Sequence, residues 1–136
     1  MNDVNYIKDQ LSSWRKCINW IDKVFPEKEF IIQHELDGLK ATTYEERVGG
    51  GESNESMRRS KLNDKMNDLI AEKEHCESVI RHCERILNKV QPKYRVVFEY
   101  RYKHSSTISY IGFKTGYEGK TVYQIIDRET ERIANE

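Results

Sequence analysis

The sequence predicts an all-α fold, with long N-terminal helices forming a helical hairpin or coiled coil, followed by a C-terminal helix-turn-helix. Apolar residues recur at three- and four-residue steps over two long stretches, the mark of helices with one buried side. Charged residues make up 34% of the chain against 37% apolar, which suits amphipathic helices with solvated faces. Near the C-terminus two glycines four residues apart precede a further apolar periodicity, the spacing of two helices joined by a tight turn.

A chain of 136 residues makes one compact domain, or a small domain joined to a helical module. Its 23 basic and 23 acidic side chains exclude a strongly basic tail, so any nucleic-acid binding rests on local placement of charge. Residues 1–91 hold 15 basic and 17 acidic side chains and residues 92–136 hold 8 and 6, a shift from −2 to +2. No apolar run approaches the ~20 residues that a membrane helix needs, and the first ten residues lack a signal-peptide layout, so a cytoplasmic protein without a membrane partner is expected. The three cysteines read as free thiols.

The N-terminal helical region is expected over 1–40. Val4, Ile7, Leu11, Trp14, Ile18, Ile21 and Phe25 form one seam, predicting a helix over 3–25. Pro26 either ends that helix or opens the next, which runs over about 27–40 with Phe30, Ile32, Leu36 and Leu39 inward. Residues 41–56, ATTYEERVGGGESNES, read as a flexible Gly/Ser loop. The triple glycine is not a phosphate loop, because no GKS or GKT follows and no apolar strand precedes it.

A long heptad helix is expected over 57–91, with Leu62, Met66, Leu69, Lys73, Cys76, Ile80, Cys83, Leu87 and Val90 on its seam. Such a face needs a partner helix, from the same chain or from a second subunit. Lys73, polar within the seam, points to a residue that sets register or oligomeric state, hence to a homodimer. The repeated His75-Cys76 and His82-Cys83 pairs invite a metal reading. Seven residues separate the pairs by about 10 Å along the axis, too far to share one ion. The alternative is small buried cysteines at seam positions with exposed histidines beside them. No metal, cofactor or catalytic residue is expected: no carboxylate pair or Ser/His/Asp set stands out, and His34, His75, His82 and His104 are scattered.

Residues 92–136 carry the predicted helix-turn-helix. Pro92 opens a helix with Val96, Val97, Tyr100 and Tyr102 inward, ending near His104, and Ser105, Ser106 and Thr107 offer capping hydroxyls for the next. Gly112 fills the small slot at a close helix crossing and Gly116 the left-handed turn. Ile111, Tyr117, Val122 and Ile125 supply the apolar contacts. The second helix is expected from Gly119 to Ala134, with Lys120, Thr121, Tyr123, Gln124 and Arg128 outward at the start, where a recognition helix meets base edges. Two slots depart from the pattern: Thr115 stands where an apolar residue is usual, and Gly119 where a Ser cap is preferred.

The segments QPKYRVVFEYRY, ISYIGFKTGY and KTVYQIIDRETERI resemble region 4 of bacterial sigma factors, with Arg101-Tyr102 ending the preceding helix. The whole-chain layout is similar to the ArpU and RinA type of phage and prophage transcriptional regulators. That resemblance implies a DNA-binding activator of late phage genes that works with host RNA polymerase in a bacterial cell. It also implies Lys120, Thr121, Tyr123, Gln124 and Arg128 as DNA-reading positions, with Lys114 and Ser106 on the backbone. Where relatives carry an acidic residue and an Ile-Ala pair, this chain has Ser109-Tyr110-Ile111-Gly112. The alternative role is a phage small terminase subunit, which also joins a helix-turn-helix to oligomerising helices but usually places the DNA-binding unit first.

Overall fold

The computed structural model describes residues 3–42 and 52–136, and these are helical without a strand. The chain runs through α1 (Val4–Ser12), α2 (Trp14–Asn19), a π-helical turn (Trp20–Val24), α3 (Phe25–Thr42) and α4 (Glu52–Lys89). A 3₁₀ turn (Pro92–Tyr94), α5 (Arg95–Phe98) and a second π turn (Glu99–Lys103) lead to α6 (Ile108–Thr115) and α7 (Gly119–Ala134). Residues 43–51 of the expected Gly/Ser loop lie outside the described residues. At its two ends the loop assignment is corrected, since α3 reaches Thr42 and α4 begins at Glu52. Once a helix is nucleated, each added residue costs little, so polar flanks extend it.

The single helix expected over 3–25 is divided. Asp3 caps α1, its carboxylate accepting from the Tyr6 N–H at 2.7 Å. The break at Ser13 is slight: its hydroxyl donates to the Asp9 carbonyl at 3.1 Å, a back-bond that bends helices. Pro26 is the second residue of α3 and so stands at the opening of that helix, although the helical course continues into it from the π turn before it. Proline lacks an N–H and crowds the carbonyl four residues back, and the wider π turn over Trp20–Val24 accommodates that carbonyl.

The contacts divide the chain into two compact units, residues 19–76 and residues 1–18 with 77–136. In the first unit Phe25, Leu39, Leu62 and Leu69 are buried, with Ile32 and Leu36 half-buried. Phe30, expected inward, is 71% exposed, since it lies roughly 140° around α3 from Phe25 at 3.6 residues per turn. Lys73 sits with its Nζ 4.7 Å from the centroid of the Phe25 ring. At its seam place it thus makes a cation–π contact inside the chain.

The second unit has the larger core. Ile7, Leu11, Trp14 and Cys17 are buried with Val79, Cys83, Ile86 and Val90 of α4, and with Val97, Phe98, Ile111, Val122, Ile125, Ile126 and Ile133. Ile80 and Leu87, expected on the seam, are half-buried. The buried strip of α4 lies one residue earlier, at Val79 and Ile86, because α1 and the C-terminal helices cover that side here. Cys83 donates from Sγ to the Gln10 carbonyl at 3.1 Å, and the Tyr6 ring lies 5.9 Å from that of His82. Val96, expected inward, is exposed, while Val97 and Phe98 are fully buried. The 3₁₀ start and π end of this segment change the angle per residue, so a uniform helical period picks the wrong stripe.

A buried carboxylate fastens α7 to the end of α4. Glu129, 3% exposed, accepts from the Gln91 N–H at 2.8 Å and the Gln91 side-chain amide at 3.2 Å. Arg132 donates to both its oxygens, at 3.1 and 3.2 Å, and also to the Lys89 carbonyl. Arg95 donates to the carbonyls of Val90 at 3.1 Å and Asn88 at 2.9 Å. The last carbonyls of α4, which have no partner within the helix, are thereby satisfied by two arginines.

Candidate nucleic-acid interface

The α6–turn–α7 segment follows the spacing that defined it. Thr107 caps α6, its hydroxyl accepting from the Tyr110 N–H at 3.1 Å. Gly116 ends α6 at φ +81°, a left-handed conformation that glycine adopts without penalty, and its N–H donates to the Gly112 carbonyl at 2.8 Å. At Gly112 a Cβ would stand 2.8 Å from the Tyr117 carbonyl oxygen. The small residue is therefore demanded by the backbone of the turn. Ile111 and Val122 are fully buried and Ile125 nearly so. Thr115 donates its hydroxyl to the Ile111 carbonyl at 2.7 Å, and its Oγ1 accepts from the Tyr117 N–H at 3.4 Å. A polar residue is accommodated in a slot usually filled by an apolar one. Glu118 precedes α7 with no side-chain cap.

On α7 one side is buried from Val122 to Ile133, and the other presents the expected residues. Lys120, Gln124 and Arg128, spaced by four, are exposed along one line; Thr121 is half-buried beside them and Tyr123 is 53% exposed on the other flank. Lys114 is exposed on α6, its Nζ 5.6 Å from the centroid of the Tyr110 ring. Ser106 stands apart from α7, half-buried in the segment before α6, with its N–H on the Tyr100 carbonyl at 2.7 Å. Lys114 and Ser106 thus lie off α7, on α6 and in the segment before it.

Some neighbours were not legible in the sequence. Thr121, Gln124 and Arg128 line a cleft of about 320 Å³ with Gln91, Tyr94 and Tyr117, and Lys93 rests its Nζ 4.9 Å from the Tyr94 ring centroid. The Gln91-Pro92 boundary hinted at a turn there, but nothing in its spacing put that turn beside α7. Asp127, also on the exposed side, pairs with Lys8 of α1 at 2.6 Å. The ammonium offsets an acidic side chain that would repel phosphate.

Among the described residues no group of three His, Cys, Asp or Glu side chains is arranged to hold a metal ion, and no helix is long and apolar enough to cross a membrane. Cys76 and Cys83 are buried and His75 is exposed, while His82 is half-buried. Burial pushes the Cys83 thiol up to about 12, with Cys17 and Glu84 adding to it, which leaves it protonated and unreactive. No protein-family model, curated protein or solved structure matches this sequence.

Proposed function

We propose that this protein is a sequence-specific DNA-binding transcriptional regulator in which α6 and α7 form a helix-turn-helix and α7 enters the major groove. The observation that carries the reading is the exposed polar start of α7. Lys120, Tyr123 and Gln124 stand in solvent while the opposite side of the same helix is buried. A hairpin serving only structure has no need of such a row. Lys120 and Arg128 meet phosphate or guanine, Gln124 pairs with adenine, Thr121 touches a thymine methyl, and Lys114 and Ser106 hold the backbone. The role of activating late phage or prophage genes with host RNA polymerase is taken from the resemblance of the chain's layout to the ArpU and RinA type of regulators. A charge of only +2 on residues 92–136 makes each copy a modest binder, so two copies act together.

Selection of duplexes from a random pool at low ionic strength, followed by titration of the enriched site, tests the proposal. Lys120→Ala is expected to weaken binding about tenfold and to reduce the salt slope by about one, and Gln124→Ala to relax base preference at one position. A parent protein that ignores duplex DNA at low salt, or two variants that bind as the parent does, overturns it.

A further inference from the structure

The unit formed by residues 19–76 carries a surface that the reading of α7 leaves unused. Two adjoining depressions of about 290 and 510 Å³ share Lys65 and form a groove between α3 and α4. Its floor is apolar, from Ile31, Ile32 and Leu39 of α3 and Leu62 and Leu69 of α4. The α4 rim changes sign along its length: Arg58, Lys61 and Lys65 come first, Asp68 and Glu72 follow, and all five are exposed.

We infer that this groove is the site at which a second copy of the chain docks, antiparallel and about a two-fold axis. An interface between identical copies must complement itself under that rotation. A rim that runs from basic to acidic does so only when reversed. With the axis between Met66 and Asn67, Lys61 faces Glu72 of the partner and Lys65 faces the partner's Asp68, over about 16 Å of helix. A parallel arrangement sets like charges against each other. Ile31, 49% exposed, and the half-buried Ile32 supply the apolar surface still open to burial, and the rim sets the orientation. The proposal deepens the two-copy reading given above by naming its interface, which borders the seam of α4 at Leu62 and Leu69. The interface does not depend on what α7 binds.

Sedimentation of the full chain without DNA, over a concentration series, is therefore the test. The parent is expected to be a dimer. Lys61→Glu with Lys65→Glu, and Asp68→Lys with Glu72→Lys, each weaken association by more than about tenfold, because like charges then face each other. An equimolar mixture of the two double variants recovers the dimer. Ile31→Asp, at an exposed position of the groove, weakens association without touching the rim and serves if a double variant loses helicity. A monomeric parent, double variants that associate as the parent does, or a folded mixture that stays monomeric overturns the proposal. Failure of DNA binding with the dimer intact bears on α7 alone.

Discussion

Gly112 is held to glycine by one atom, the Tyr117 carbonyl oxygen, 2.8 Å from where a Cβ would be. Helix propensity favours alanine there by about 1 kcal/mol, but the obstacle is backbone and cannot swing aside, and overpacking of this kind costs about 1–3 kcal/mol. Gly112→Ala is therefore expected to lower the melting temperature despite the better helix former. Gly116→Ala is expected to cost about 1–2 kcal/mol, because an L side chain resists left-handed φ; urea unfolding of both variants measures this. If Gly112→Ala proves stabilising, the close approach of turn and helix is not what selects the residue. His82 and Trp14 show the opposite condition, each with a buried ring nitrogen that has no hydrogen-bond partner among the described residues. Burial lowers the His82 pKa, and Arg85 and Lys89 lower it further. Its protonation therefore opposes folding as the pH falls below the ordinary histidine range.

At the scale of elements, the Glu129 cluster decides how α7 is held. Burial alone would raise this carboxyl, but hydrogen bonds from Arg132 and Gln91, with the Arg132 charge, outweigh it and hold the pKa below the ordinary glutamate value. The resulting stability is complete above that ordinary value of about 4.3 and is lost as the pH falls through the lower value of the folded state. Glu129→Gln is expected to cost about 2 kcal/mol at neutral pH, with the gap from the parent closing in acid; melting curves across pH check both. The sequence showed where helices lie but not this joint. Periodicity located α6 and α7 because Gly112, Gly116, Val122 and Ile125 act through local spacing. It failed over Pro92–Lys103, where 3₁₀ and π turns alter the period, and at Phe30, counted as inward for its type. Tyr94 and Gln91 beside Thr121 and Gln124 were invisible because that neighbourhood is made by Glu129, a residue that reads as one more surface charge in a charged helix.

The unit made of residues 1–18 and 77–136 is assembled from segments far apart in sequence. α1 packs on α7, Lys8 reaches Asp127 across 119 residues of sequence, and Ile7, Leu11 and Trp14 belong to the same buried core as Ile126 and Ile133. The surface pair itself adds little; the apolar contacts carry the attachment. A fragment beginning at Gln91 is thus expected to fold poorly although it contains α6 and α7 intact, and its circular dichroism should show loss of cooperative melting. A fragment that melts as sharply as the full chain contradicts this dependence.

The same attachment governs how the protein can be made. On the ribosome α1 emerges well before α7, so apolar side chains of α1 wait for a counterpart that synthesis delivers only after the intervening helices. Such distant pairing is slow to form and leaves sticky surface exposed meanwhile. Residues 19–76 form the other compact unit and are complete in sequence before α7 is made. The unit that carries α7 is completed instead only once α7 itself has been made.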